Sequence, residues 1–147
     1  MSRLNVEFPK VSRRSYFLSL DQARRIVMDR LEEHYIQVHD VELRGVWVLM
    51  CANEKPSSQA LMAECLGINN NVMVRLIDRL EKSNLIRRLQ NQDDRREHVL
   101  HLTDKGQRHL KTIYDNFDNV ALKVFSPLTL DILRRVKKEL DVIIENA

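Results

Sequence analysis

Between Ser58 and Thr103 the spacing of apolar residues shifts from a helical to a strand period, and the rest of the chain can be placed around that stretch. Ser58-Gln-Ala-Leu-Met-Ala-Glu-Cys-Leu66 reads as a short amphipathic helix, opened by a Ser and broken by Gly67. Asn69 offers an N-cap for a longer helix through about Ser83. Its Val72, Leu76 and Leu80 recur at i, i+4, with Met73 and Ile77 beside them. Leu85-Ile-Arg-Arg-Leu-Gln90 and His98-Val-Leu-His-Leu102 are short strand candidates joined by residues 91–97. Two helices across a Gly-containing turn, followed by a hairpin, predict a winged helix-turn-helix whose second helix can enter a DNA major groove.

The flanks are helical in pattern. Ser19-Leu-Asp-Gln22 has the form of a capping box and predicts a first helix from about Leu20 to His39. Leu20, Ala23, Val27, Leu31 and Val38 share one of its faces, with Ile26 and Tyr35 adjoining and Tyr16-Phe-Leu18 also apolar just upstream. Val41 to Asn53 predicts a second helix, almost unbroken in apolar residues from Val46 to Ala52, and a helix apolar on most sides is buried from several directions. Downstream, Thr103 can cap a helix from about Asp104 to Phe125, stopped by Ser126-Pro127. A last helix opening near Thr129 keeps Leu133, Val136, Leu140 and Ile143 at i, i+3, i+7, i+10.

The expected fold class is therefore mainly α: a winged helix-turn-helix with a two-stranded β wing, flanked by long N- and C-terminal helices. One domain is expected over residues 1–147, with the lobe at about 41–106 and dimerisation helices at about 11–40 and 107–147. The small lobe cannot cover both terminal helices at once. A second copy of the chain across a twofold axis is the simplest cover, and packing of these helices within one chain is the plainer alternative.

Composition narrows the function. At 147 residues, 44% hydrophobic and 31% charged, the chain fits one soluble globular domain. Three Gly and three Pro argue against a strand-rich fold with many tight turns. The formal charge of +3 is modest, but its placement is uneven. From Arg75 to Lys111 ten Lys/Arg stand against six Asp/Glu, whereas Met1 to Asp40 carries seven against six, so the excess sits on and after the second helix of the motif, as a nucleic-acid footprint would. Cys51 and Cys65 lie in helical patterns without a CxxC, which fits a reducing cytoplasm. No 18-residue apolar run and no signal-peptide pattern occur, so no membrane and no export are expected, and Met1 to Lys10 reads as a poorly ordered arm.

Candidate chemistry gathers on the motif. The apolar stripe leaves Asn70, Asn71, Val74 and Arg75 near the exposed start of the second helix. Asn can bond adenine bidentately, Arg guanine, and Val can pack on a thymine methyl; the plain alternative is a polar cap. Arg79, one turn on, could reach DNA or pair with Asp78, Glu81 or Asp94. Ser58 can hold a phosphate at its helix N-terminus as well as cap it. Arg95 and Arg96 at the hairpin tip can reach a narrow minor groove, with Asp94 positioning an Arg. His34, His39, His98, His101 and His109, near Glu33 and Asp40, invite a metal reading, but His98 and His101 point to opposite faces of a strand, so neither metal nor cofactor is expected. Cys51 as an oxidation sensor is a further alternative, opposed by the raised pKa of a thiol in an apolar helix. No nucleophile–base set and no Gly-rich phosphate loop supports an enzyme. The runner-up is a dimeric winged-helix module that binds protein without sequence-specific DNA binding.

At this point the sequence resembles the MarR-type (multiple antibiotic resistance regulator) winged helix repressors. The resemblance is carried by Leu66-Gly-Ile68, Arg75-Leu-Ile-Asp-Arg-Leu-Glu-Lys82, Asn84-Leu-Ile-Arg87, Asp94-Arg-Arg96 and Leu102-Thr-Asp-Lys-Gly106, spanning about Pro56 to Gly106. It implies a homodimer of six-helix subunits, a cytoplasmic repressor of a pseudo-palindromic operator, released by a small ligand or by oxidation. It also implies Arg96 in the minor groove and Arg95 on the backbone. A ligand pocket between the dimer helices and the lobe would be lined from Tyr16, Met28, Tyr35, Trp47 and Met50. The reading helix departs from the family: Asn71, Val72 and Val74 stand where Ser or Thr is common, and Asn70 where Arg or Pro is frequent, so no relative's operator can be carried over.

Overall fold

Val46, Val48 and Leu49 are fully buried, and the other elements gather round the helix that carries them. In this computed structural model, which describes residues 15–39, 41–91 and 98–146, that helix is α2 (Leu43–Glu54). It is the strut expected from its unbroken apolar run, touching the first helix, the reading helix, the sheet and the helix after the hairpin.

The first helix, α1 (Tyr16–His39), starts a turn earlier than the capping box suggested. Ser15, not Ser19, sits at its start, its hydroxyl accepting from the Leu18 N–H at 3.3 Å. Ser19 lies inside the helix, with its N–H on the Ser15 carbonyl at 3.0 Å. The reason is local: Tyr16-Phe-Leu18 continues the helical phase upstream, so nothing stops the helix at Ser19. The N-terminus of α2 is capped from a distance, because the Glu32 carboxylate on α1 accepts from the Leu43 N–H at 3.0 Å. An orphan N–H of α2 is thereby satisfied and a negative charge placed at its positive end.

After α2 the chain makes a two-residue strand, β1 (Ser57–Ser58), then α3 (Gln59–Cys65), α4 (Asn70–Lys82), β2 (Ile86–Gln90) and β3 (His98–Leu102). The wing hairpin is as expected. The sheet is not two-stranded, since β1 adds to the far edge of β3 in the order β1-β3-β2. Ser57 pairs with Leu100 and Ser58 with Val99, too short a pairing to leave a period-2 signature in sequence. Between β2 and β3 the register sets Ile86 against Leu102, Arg88 against Leu100 and Arg87 against His101.

The single helix expected over 104–125 is two: α5 (Asp104–Asp115) and α6 (Phe117–Val124), divided at Asn116. Asn116 has φ −104° and ψ 3°, outside the helical well, and its side chain donates to the Thr112 carbonyl at 3.2 Å. An Asn that bonds back to the preceding turn competes with helix continuation. Arg30 of α1 ties the end of α6 to the fold, donating to the Val124 carbonyl at 2.7 Å. The last helix, α7 (Leu130–Glu145), buries no residue and leaves Val136, Leu140 and Ile143 exposed. Among the described residues no helix is long and apolar enough to cross a membrane. The expected arm at 1–10 lies outside the described residues.

Candidate nucleic-acid interface

The helix-turn-helix is set by two left-handed residues. Gly67, with φ +61°, ends α3, and the paired closing bonds of a left-handed cap follow: Gly67 N–H to the Glu64 carbonyl at 3.1 Å and Ile68 N–H to Ala63 at 2.9 Å. Asn84, with φ +56°, ends α4 the same way, its N–H on Glu81 at 2.8 Å and that of Leu85 on Leu80 at 2.9 Å. The starts are side-chain capped. Ser58 accepts from the Leu61 N–H at 3.4 Å, and Asn69 from the Asn71 N–H at 2.9 Å.

Between those caps α4 divides cleanly. Met73, Leu76, Ile77 and Leu80 are buried, and Val72, expected on the core stripe, is only half-buried beside them. Each fully buried side chain of this size contributes about 1.5–3 kcal/mol, which fixes the rotation of the helix about its axis. The opposite face therefore carries Asn70, Asn71, Val74 and Arg75, all exposed. Arg75 has no ion-pair partner among the described residues.

Arg79, one turn further, is paired differently from expectation. Its guanidinium meets Glu42, in the turn between α1 and α2, rather than Asp78 or Glu81, and Asp94 lies outside the described residues. Glu42 is near only through the fold, so no sequence spacing announces it. Asp78 and Glu81 are occupied by Arg88, which reasoning from sequence missed. Arg88 Nη2 lies 2.7 Å from Asp78, the Arg88 guanidinium also meets Glu81, and the Arg88 N–H donates to Glu81 at 3.0 Å. A signal was present: in a strand, Arg87 and Arg88 point to opposite faces, and Asp78 and Glu81 stand at i, i+3 on one helix face. Arg87 is exposed on the outer face, whereas Arg88 shares the inner one with Ile86 and Leu100.

The wing is anchored at its base by the Leu-Thr-x-x-Gly segment. The Thr103 hydroxyl accepts from the Gly106 N–H at 3.0 Å and donates to the Asn84 carbonyl at 2.6 Å. Lys105 Nζ adds a bond to the Ser83 carbonyl at 2.8 Å. A Cβ at Gly106 would fall 1.9 Å from the Leu85 carbonyl oxygen, so only glycine permits this approach. Asp94, Arg95 and Arg96, at the wing tip, lie outside the described residues.

Of the pocket candidates, the structure brings Met28 and Trp47 onto one cleft of about 500 Å³ between α1, α2 and the turn after α3. Tyr35 is buried in the core, Met50 is half-buried against that core, and Tyr16 is 85% exposed at the start of α1. Cys51 is half-buried, and burial together with Cys65 and Glu54 pushes its thiol up, which keeps it protonated. Burial, aided by Lys123 and Lys105 respectively, pushes His34 and His109 down. No group of three or more His, Cys, Asp or Glu able to hold a metal occurs among the described residues; of the His candidates, the His39 side chain lies outside them, as does Asp40.

Residues 46–98 match the MarR family model, a span running from α2 through the reading helix to the first residue of β3. The matched span is a little over a third of the chain. Solved structures extend the likeness beyond the MarR segment to nearly the whole chain. The transcriptional regulator BldR from Sulfolobus solfataricus superposes with a TM-score of 0.77 at 17% identity, over 95% of this chain and 100% of that one. CouR from Rhodococcus jostii RHA1, bound to p-coumaroyl-CoA, gives 0.74 at 20% identity, over 92% and 95%. A mutant MarR from E. coli complexed with operator DNA gives 0.70 at 18% identity, over 85% and 90%. At such identities the likeness is one of fold: a MarR winged helix. No curated protein matches the sequence.

Proposed function

We propose that this chain is a sequence-specific DNA-binding transcriptional regulator, a homodimeric repressor released from a pseudo-palindromic operator by a small ligand. One observation carries the reading: α4 buries Met73, Leu76, Ile77 and Leu80 and turns Asn70, Asn71, Val74 and Arg75, which has no ion-pair partner among the described residues, outward on a short, capped helix. Those side chains are the ones that read base edges. In this scheme Ser58 contacts a phosphate from the start of α3, Arg79 joins the backbone, and Arg95 and Arg96, supported by Asp94, place the wing on backbone and minor groove. The likeness to a MarR structure complexed with operator DNA supports it.

The lobe spans about 41–106, and the helices on either side form the dimer. The exposed Val136, Leu140 and Ile143 of α7, with Leu20 on α1, supply the apolar surface for a second copy. The effector sits in the cleft that Met28 and Trp47 line, and the p-coumaroyl-CoA complex of CouR supports a ligand-responsive reading. The raised pKa of the Cys51 thiol favours a ligand over oxidation as the signal. A protein-binding module without DNA readout leaves the outward Arg75 and the basic excess around it unexplained.

Selection of bound duplexes from a random pool, followed by a gel shift across salt concentrations, tests the reading. A recovered pseudo-palindrome whose binding falls steeply with salt is the expected result; the absence of any enriched sequence would refute it.

A further inference from the structure

The charged groups of the cleft between α1, α2 and the turn after α3 are sorted by depth. Glu32 and Glu42 are half-buried, whereas Arg24, Asp29 and Arg44 are exposed at its rim. Arg24 is moreover engaged by Asp21 at 3.0 Å. The apolar lining is Met28, Trp47 and Leu66, each half-buried, over the buried Leu43 and Ile68. The cleft is thus lined by two half-buried carboxylates and a half-buried indole, with its two arginines exposed. Among the described residues each carboxylate uses one oxygen: Glu32 on the Leu43 N–H, and Glu42 on the Arg79 guanidinium.

We propose that this cleft takes a planar organic cation, an amidinium or guanidinium on an aromatic body, with Glu42 as its counter-ion and Trp47 against its ring. The proposal rests on reading the cleft as the effector site, and it names the ligand class. Its size fits a drug-sized molecule, and a cation beside an indole gains from the ring quadrupole. What Glu42 already holds is a guanidinium, that of Arg79, and an amidinium is a planar cation of the same kind. The pair it would replace is exposed at Arg79 and weakly held. Because Arg79 belongs to α4, ligand and reading helix compete for one carboxylate. Occupancy of the cleft is then felt on α4 without any relay through the core.

Trp47 is the only tryptophan in the chain, so its fluorescence reports the cleft directly. Benzamidine, benzamide and benzoate share ring and shape and differ in charge, which makes them the probes. Benzamidine is expected to quench Trp47 saturably, benzamide to bind at least about tenfold more weakly, and benzoate not to bind. Glu42→Gln should cost benzamidine at least about tenfold, and Arg79→Gln should tighten it about threefold by removing the competitor. Benzoate binding as tightly as benzamidine overturns the proposal. So does an unchanged benzamidine affinity in Glu42→Gln with a native unfolding midpoint. Should Glu42→Gln fail to fold, the charge series on the wild-type protein decides. None of these titrations contains DNA, so a failed gel shift counts against the regulator reading and a wrong charge order against this one.

Discussion

Arg88 of the wing lies 2.7 Å from Asp78 of the reading helix, and the same side chain engages Glu81 one turn on. The angle between α4 and the sheet is therefore set by one half-buried cation held by two carboxylates, with backbone support from the Arg88 N–H. Hydrophobic packing fixes which face of α4 turns inward, but it is not directional between individual atoms. Directional, charge-assisted bonds fix the orientation.

Arg88→Met removes that cation and leaves Asp78 and Glu81 facing each other. A loss of about 1–2 kcal/mol is expected, less than for a buried pair because both acids retain solvent. Urea unfolding measures it, and a midpoint equal to wild type would show that the pair positions nothing.

Gly106 and Gly67 separate two reasons for glycine. A Cβ at Gly106 meets the Leu85 carbonyl, so Gly106→Ala must displace the α4–β2 turn and should cost more than about 3 kcal/mol or prevent folding. At Gly67 nothing lies within 4 Å, and Gly67→Ala pays only for φ +61°, about 1–2 kcal/mol. Thermal unfolding of the two variants should rank them in that order; the reverse order would contradict the close approach at Gly106.

For DNA, Arg75→Ala should weaken binding by about 1–3 kcal/mol and relax preference at defined operator positions. Ser58→Ala should weaken all sequences about equally, and it also removes a cap contributing about 1 kcal/mol. Arg96→Ala should leave folding unchanged and weaken the operator complex. Gel shifts against a panel of operator variants distinguish these patterns, and an even loss for Arg75→Ala would make it a phosphate contact.

The dimer has its own test. Leu140→Asp puts a charge on the exposed apolar row of α7, far from α4 in sequence, and should yield monomer or aggregate with operator binding lost. Light scattering beside a gel shift reads both. A wild-type monomer that binds its operator tightly would rule the dimer out.

Stability should also depend on pH through His34 and His109. Burial lowers both, so the folded protein favours neutral imidazole while the unfolded chain binds protons near the ordinary value of 6.5. The unfolded state then holds more protons below that pH, and stability, full above it, falls as the pH drops through 6.5 towards the depressed folded values. Unfolding midpoints between pH 7.5 and 5.5 should show the fall, and a His34→Gln/His109→Gln double variant should flatten it.

Sequence made the motif legible where one residue does one local thing. Ser58, Asn69 and Thr103 as caps and Gly67 as a break each act within a few residues, and the apolar period of α4 revealed which face would turn outward. What stayed hidden depends on partners distant in the chain. The cap on α2 comes from Glu32, the partner of Arg79 is Glu42, and β1 exists because β3 offers an edge. The break at Asn116 was obscured for another reason, since its flanks keep the helical period and one side-chain bond to Thr112 interrupts it.

The Thr103 hydroxyl, which caps α5 and holds the Asn84 carbonyl, makes the end of the reading helix and the beginning of α5 a single joint. Pivoted at this joint, α4 acts as a lever. With 13 residues, α4 is roughly 20 Å long, so a tilt of about 5° about this joint carries its far end, where Asn70 and Asn71 sit, through about 1.7 Å. That is more than a hydrogen bond to a base tolerates. Small displacements of the scaffold are thus amplified at the end of α4 that faces outward.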